Sequence, residues 1–256
     1  MIRDYIKLIK FRYNLSFILV ILGALLYAPQ INLSLLLSLV LVYISFNILM
    51  YTGLYTLNDI IDRESDSKHP KKKQRVIPSG KISLFQAWMV CIWGIFFGLL
   101  MAFLLFRSLF YIYLCFIAFN IFYTFFAKKI PYLELIGNSI TYPLRLLTGI
   151  ILVGGVASIG PFIAIFFTAL CTSAMRRIIE RRYQGYEARK VLTHYTDRSL
   201  IIAQVLSFSI ILVTLLIDFP RNFLFYLSLI IFCIVFDLIL GYNKKLRKYL
   251  NYLWLN

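Results

Sequence analysis

The sequence predicts an all-α integral membrane protein, a polytopic bundle of eight transmembrane helices with nine also compatible. Hydrophobic residues make up 61% of the 256-residue chain and charged residues only 15%, with a mean hydropathy of +0.81. That composition lies outside the soluble globular range. Apolar stretches run over residues 14–28, 33–57, 84–106, 109–127, 132–153, 160–175, 199–217 and 222–241. Each is about as long as a bilayer-spanning helix needs.

Before the first stretch, Tyr5-Ile6-Lys7-Leu8-Ile9-Lys10 is amphipathic and is expected to lie along the interface. The first span follows a basic segment but lacks a small-residue cleavage site, so it is expected to be retained. Pro143 is expected to kink the 132–153 span or split it. Cys91, Cys115, Cys171 and Cys233 all fall in apolar stretches without CxxC spacing and read as small core hydrophobes. No long linker or internal repeat interrupts the spans, which predicts one membrane domain over residues 1–256.

The formal charge of +16 is distributed in a way that excludes nucleic acid as the natural partner. Basic residues alternate with the spans. With a cytoplasmic N-terminus, Arg3, Lys7, Lys10 and Arg12 face inward, as do loops 58–83, 128–131 and 176–198 and the tail Lys244, Lys245, Arg247 and Lys248. Arg107 and Arg221 fall in outer loops, and Arg145 lies within a span. Eight crossings then satisfy the positive-inside bias, with both termini cytoplasmic. The basic rim also favours anionic membrane lipids. The chain is compatible with a homo-oligomer.

Chemistry is expected where the second span ends. Asn58-Asp59-Ile60-Ile61-Asp62-Arg63-Glu64-Ser65-Asp66 places Asn58, Asp62 and Asp66 on one face of a helix end, with Asp59 on the flank. Oxygen-only ligands select a hard cation such as Mg²⁺, which completes its shell with phosphate oxygens, so a diphosphate-bearing substrate is implied. Asp62 and Asp66 are expected at a solvated membrane edge. Lys71 and Arg75 are candidate phosphate contacts, although the lysine run 71–73 reads first as a topology determinant. The other long loop offers Arg176, Arg177, Glu180, Arg181, Arg189 and Tyr195, with Arg177 and Glu180 on one helix face.

A polar trail of Tyr123, Lys128, Glu134, Asn138 and Arg145 follows the fourth and fifth spans. Charge at membrane depth needs a cavity or a partner, so Arg145 is a functional candidate, with a structural pair to Glu134 as the alternative. Asn14 either closes the same cavity or caps a helix. Asp218 and Asp237 lie near span ends and are expected to reach water. His69 and His194 lack ligand-spaced companions and are not assigned to metal. The 23 Phe and 18 Tyr fit interface belts and helix packing, and some suit a tunnel for a polyisoprenoid chain.

The string Asn58-Asp59-x-x-Asp62-x-x-x-Asp66 resembles the first aspartate-rich motif of the UbiA superfamily of intramembrane prenyltransferases. The resemblance implies helices around a central cavity opening to the cytoplasmic side, with Mg²⁺ bridging the motif to a diphosphate and a lipid chain in a lateral groove. The usual second Asp-x-x-x-Asp set is replaced by Ser173-Ala174-Met175-Arg176-Arg177-Ile178-Ile179-Glu180, followed by Arg189-Lys190-Val191-Leu192-Thr193-His194-Tyr195. That departure is similar to the decaprenyl-phosphate phosphoribosyltransferase branch. So are His69-Pro70-x-Lys72, Arg75-Val76-Ile77-Pro78-Ser79-Gly80 and Tyr142-Pro143-Leu144-Arg145-x-x-x-Gly149, except that Val76 replaces a usual proline and Glu134 an expected aspartate.

The branch resemblance implies a phosphoribosyl diphosphate donor, a polyprenyl phosphate acceptor and an oxocarbenium-like reacting centre. Asn58, Asp62 and Asp66 would hold Mg²⁺, Lys72 and Arg75 would contact phosphates, and Arg145, Arg177, Glu180, Arg189 and Tyr195 would shape the donor pocket. Prenyl transfer to an aromatic or glycerol-phosphate acceptor is the alternative. A cation channel with Asp59, Asp62 and Asp66 at its mouth is disfavoured, because no chain of acidic residues crosses the membrane.

Overall fold

The computed structural model describes residues 2–69, 72–184, 190–219, 222–245 and 247–248. It is 85% helical, and no strand occurs among the described residues. The helices are α1 (Ile2–Leu8), α2 (Ile18–Tyr27), α3 (Leu33–Val42), α4 (Thr52–Lys68), α5 (Leu84–Leu105), α6 (Arg107–Phe125), α7 (Leu133–Leu152), α8 (Ile159–Gln184), α9 (Asp197–Ile217) and α10 (Phe223–Tyr242). Among the described residues six helical stretches are long and apolar enough to cross a membrane, and Asn14–Tyr27 and Phe223–Asp237 are shorter apolar helices. The eight expected apolar spans are therefore all helical, and the chain is an integral membrane protein.

Local chemistry sets several boundaries. Asn32 caps α3 by accepting a hydrogen bond from the Leu35 amide at 2.9 Å. Ser83 and Gln86 form a reciprocal capping box at the start of α5, and Thr196 and Ser199 do the same for α9. Pro143 neither splits α7 nor ends it, since the helix runs unbroken from Leu133 to Leu152. The expected loops at 58–83 and 176–198 are partly helical: α4 continues to Lys68 and α8 to Gln184, so both charged motifs ride on rigid helices.

The contacts divide the chain into two compact units, Met1–Thr124 with Leu144–Ala157, and Phe125–Pro143 with Ser158–Asn256. In the first, the core gathers Val20, Ala24, Phe46, Met50, Tyr113 and Phe116. Here α2 and the second half of α7 approach closely enough that only glycine fits: a Cβ on Gly149 would overlap the Val20 carbonyl oxygen, and one on Gly23 the Leu146 carbonyl oxygen. Gly149→Ala is expected to destabilise the protein by about 1–3 kcal/mol through overpacking, measurable as a fall in thermal midpoint in detergent.

A small second core in the same unit joins Leu8 of α1 to Val76, Ile77, Ile82 and Ala87. It folds the segment after α4 back onto that helix through a turn with Gly80 at φ 75°. Val76, the departure from a usual proline, is one of its buried members and also accepts a hydrogen bond from the Ile82 amide at 3.0 Å.

In the second unit, Leu135, Ala174, Ile178, Leu192 and Tyr195 form one cluster, and Cys171, Ile211, Ile230 and Cys233 another. Cys91, Cys171 and Cys233 are buried, whereas Cys115 is exposed on α6. Two acidic residues depart from expectation here. Asp237 is half-buried and accepts hydrogen bonds from Gln204 at 3.2 Å and the Cys171 thiol at 3.9 Å, and Asp218 accepts from Tyr226 at 2.7 Å. Protein donors, rather than water alone, satisfy both. Many large side chains, including Leu104, Leu216, Ile217 and Leu224, point outward, as helices solvated by lipid tails allow.

Candidate active site

The aspartate motif occupies the last three turns of α4. Asp59 and Asp66 are seven residues apart, two helical turns, and both are buried, while Asn58 and Asp62 are half-buried. The folded-back segment brings Arg75 to both buried carboxylates, its Nη1 lying 2.8 Å from Asp66 and 3.6 Å from Asp59. Lys72 Nζ stands 3.7 Å from Asp66. Asp59 is therefore a full member of the charged face rather than its flank. The expectation of a solvated edge holds for half-buried Asp62 but not for Asp66, which is buried beside Arg75 and Lys72.

A third cation comes from the N-terminal segment. Lys10 lies between α1 and a 3₁₀ turn, Phe11–Phe17, with its backbone in the left-handed region at φ 49° and ψ 53°. The sharp redirection sends Nζ to Asp59 at 2.8 Å and over the Tyr55 ring at 5.3 Å. A non-glycine residue in this conformation is locally strained. Sequence reading assigned Lys10 to membrane topology alone. No spacing in the sequence signals its role, because the left-handed backbone at Lys10 sets it.

Asn14 is buried and does not cap a helix. It donates to the Tyr43 hydroxyl at 3.1 Å and accepts from Asn47 at 3.2 Å. Arg145, on the second half of α7, is also buried, its guanidinium 4.6 Å from the Tyr51 ring centre and 5.7 Å from that of Phe116. The alternative partner considered for Arg145, Glu134, pairs with Arg177. Two aromatic faces receive this cation.

Glu134, in the second unit, is fully buried and belongs to Arg177. Arg177 donates from Nε and Nη2 to the two Glu134 oxygens at 2.6 Å each, a fork-to-fork pair, and from Nη1 to Glu180 at 2.6 Å. The other Glu180 oxygen accepts from Arg176 Nε at 2.9 Å. Glu180 thus orients both arginines. Tyr195 accepts from the Tyr132 amide at 2.9 Å and donates to Glu134 at 3.2 Å. Burial, and then the negative charge of Glu134, push the Tyr195 phenol above its ordinary range, so the hydroxyl stays a donor.

The remaining candidates are placed separately. Asn138 donates to Ser173 at 2.8 Å on the same face of α7 as Glu134. Tyr123 is half-buried on α6, and Lys128 half-buried in the 3₁₀ turn Ala127–Lys129. Arg181 pairs with Asp197 at 2.6 Å. His69 accepts from the Lys72 amide at 3.2 Å and so shapes the loop. Lys71, Arg189 and Arg221 lie outside the described residues.

The α4 face balances three carboxylates, Asp59, Asp62 and Asp66, with three cations, Lys10, Lys72 and Arg75. Among the described residues no group of three or more His, Cys, Asp or Glu side chains converges to hold a metal by itself. An all-oxygen set of this kind fits Mg²⁺ that draws its other ligands from water and substrate phosphate. Cations set among the carboxylates fit the phosphate oxygens.

The structure is similar to several solved proteins. A UbiA homologue from Archaeoglobus fulgidus bound to GPP and Mg²⁺ superposes with a TM-score of 0.78 at 18% identity, covering 98% of this chain and 96% of that one. The same homologue bound to DMAPP and Mg²⁺ gives 0.77 at 17% identity, with the same coverage. A digeranylgeranylglyceryl phosphate synthase gives 0.67 at 18% identity over 99% of this chain and 92% of that one. At these identities the likeness establishes the fold. No curated relative matches the sequence. The model of the UbiA prenyltransferase family matches residues 16–249, nearly the whole chain, and the protein belongs to that family.

Proposed function

We propose that this protein is a Mg²⁺-dependent membrane transferase that breaks the carbon–oxygen bond of a diphosphate donor and passes the freed group to a polyisoprenoid lipid acceptor. The observation that carries this reading is the α4 face, where buried carboxylates and cations alternate within hydrogen-bonding range. A bare cation or a bare anion would meet like charge there. A metal–diphosphate pair would meet opposite charge at both ends. Asn58, Asp59, Asp62 and Asp66 are assigned to Mg²⁺, and Lys10, Lys72 and Arg75 to phosphate oxygens. When bound, the metal would neutralise charge developing on the departing diphosphate.

Within this class we favour phosphoribosyl transfer from phosphoribosyl diphosphate to a polyprenyl phosphate. The support is the replacement of a second acidic motif by Arg176, Arg177 and Glu180, with Arg177 oriented by Glu134 and Glu180. By the branch resemblance, Arg145, Arg177, Glu180, Arg189 and Tyr195 are the residues proposed to shape the donor pocket. The basic bias assigns the termini and the α4 face to the cytoplasmic side. Prenyl transfer to an aromatic or glycerol-phosphate acceptor is the second reading, favoured by structural neighbours bound to GPP and DMAPP.

A donor screen on purified protein separates the two. Phosphoribosyl diphosphate with polyprenyl phosphate, and prenyl diphosphates with aromatic or glycerol-phosphate acceptors, are each offered with Mg²⁺ while diphosphate release is followed. Ribose label entering the lipid phase is the expected result. Release from prenyl donors alone would replace the first reading with the second, and release from neither would remove both.

A further inference from the structure

Between α3 and α4 the chain does not remain α-helical. Tyr43–Tyr51 forms a π-helix in the middle of a membrane-spanning stretch that runs from Leu33 to Lys68. A wide turn of this kind is costly in regular geometry and recurs at functional sites. Its effect here is to re-aim side chains. Thr52, Asp59 and Asp66 follow one another at seven-residue intervals on α4 and are all buried, so they define one polar stripe. In a continuous α-helix the stripe would reach back from Thr52 to Ser45. The π turn breaks that register, and the buried polar side chain before Thr52 that the N-terminal segment reaches is Asn47.

Contacts from the N-terminal segment agree with that register. Lys10 reaches Asp59, and Asn14, one turn further along the same segment, reaches Asn47 and Tyr43. The stripe is therefore polar from Tyr43 through Asn47 and Thr52 to the aspartates.

Two atoms on it are left open. Asn47 is 3% exposed and Thr52 7% exposed. Neither Asn47 Oδ1 nor Thr52 Oγ1 has a hydrogen-bond partner among the described residues. A buried polar atom without a partner is costly and asks for an occupant. Prenyl groups offer nothing to either atom. A group with two hydroxyls satisfies both, donating to the Asn47 carbonyl and accepting from the Thr52 hydroxyl.

We propose that Asn47 and Thr52 form a membrane-embedded hydroxyl-binding subsite, which takes the hydroxyl-bearing group of a sugar diphosphate whose diphosphate lies on the aspartate face of the same helix. This rests on the donor reading above and deepens it: the π-helix makes the second span selective for a polar transferred group.

The test is binding to the purified full-length protein with Mg²⁺, comparing phosphoribosyl diphosphate with inorganic diphosphate in the wild type, Thr52→Val and Asn47→Leu. Wild-type protein is expected to prefer phosphoribosyl diphosphate. Each substitution should weaken that ligand by about 3- to 10-fold, the worth of one neutral hydrogen bond, and leave inorganic diphosphate affinity unchanged. Thr52→Val removes only an unpaired buried hydroxyl, so its thermal midpoint should hold or rise, whereas Asn47→Leu also removes the donor to Asn14 and should lower it. Three results overturn the subsite. The variants could bind phosphoribosyl diphosphate as the wild type does, as they would if a structural water fills the gap. They could lose both ligands equally, as a packing defect would. Wild-type protein could fail to distinguish the two ligands; if it still turned over a prenyl diphosphate, the subsite would fall while the transferase reading stood.

Discussion

Asp62→Ala is expected to abolish turnover, a fall of at least about a thousandfold, while folding stays near that of the wild type. Asp66→Ala is expected to lose activity and stability together. The difference follows from their surroundings on one helix. Asp62 is half-buried on the face of α4, so its removal deletes a proposed metal ligand at a position water can still reach. Asp66 is buried, with Arg75 Nη1 at 2.8 Å and Lys72 Nζ at 3.7 Å. Its loss leaves a largely buried guanidinium short of its closest carboxylate, which costs about 2–3 kcal/mol. Thermal midpoints in detergent beside rates of diphosphate release check both halves. A stable, fully active Asp62→Ala protein would defeat the metal assignment, and an unshifted midpoint for Asp66→Ala would contradict the buried pair.

Arg177→Met is expected to have the largest effect on stability, about 3–5 kcal/mol, because it leaves Glu134 as a buried carboxylate without its fork partner. The Glu134 and Arg177 side chains are only 1% and 3% exposed, so little water is available to replace the lost bonds. Adding Glu134→Gln should recover most of the stability. The amide keeps an acceptor for the Tyr195 hydroxyl, and Glu180 retains Arg176. If Arg177 also meets the donor, the double variant will fold and still fail to turn over. Recovery of both properties would reduce Arg177 to a structural role, and wild-type stability in the single variant would contradict the buried pair itself.

The apolar helices and the aspartate face were legible in the sequence for physical reasons. Lipid imposes a length of about 20 apolar residues on each crossing, and that length is visible in composition. Spacing placed the α4 carboxylates together because three- and four-residue steps share a helix face. Partners were less legible. A pair with Glu134, eleven residues away on one helix, was the alternative considered for Arg145; Glu134 meets Arg177 from α8, and Arg145 meets Tyr51 and Phe116.

Lys10 was hidden by its membership of a basic N-terminal run. Only its left-handed backbone, a property no residue count reveals, turns it onto Asp59. The π-helix was hidden too, since the apolar pattern of 33–57 is equally that of an α-helix. Asp66 was misjudged because burial at a helix end depends on what folds back over it.

The most direct test is the affinity of purified protein for inorganic diphosphate, titrated with and without Mg²⁺ in the wild type and in Asp62→Ala. Tight binding that requires Mg²⁺ and is lost in the variant is the predicted result. Binding that is indifferent to the metal, or that survives loss of Asp62, would contradict the assignment of the α4 face to a metal–diphosphate pair.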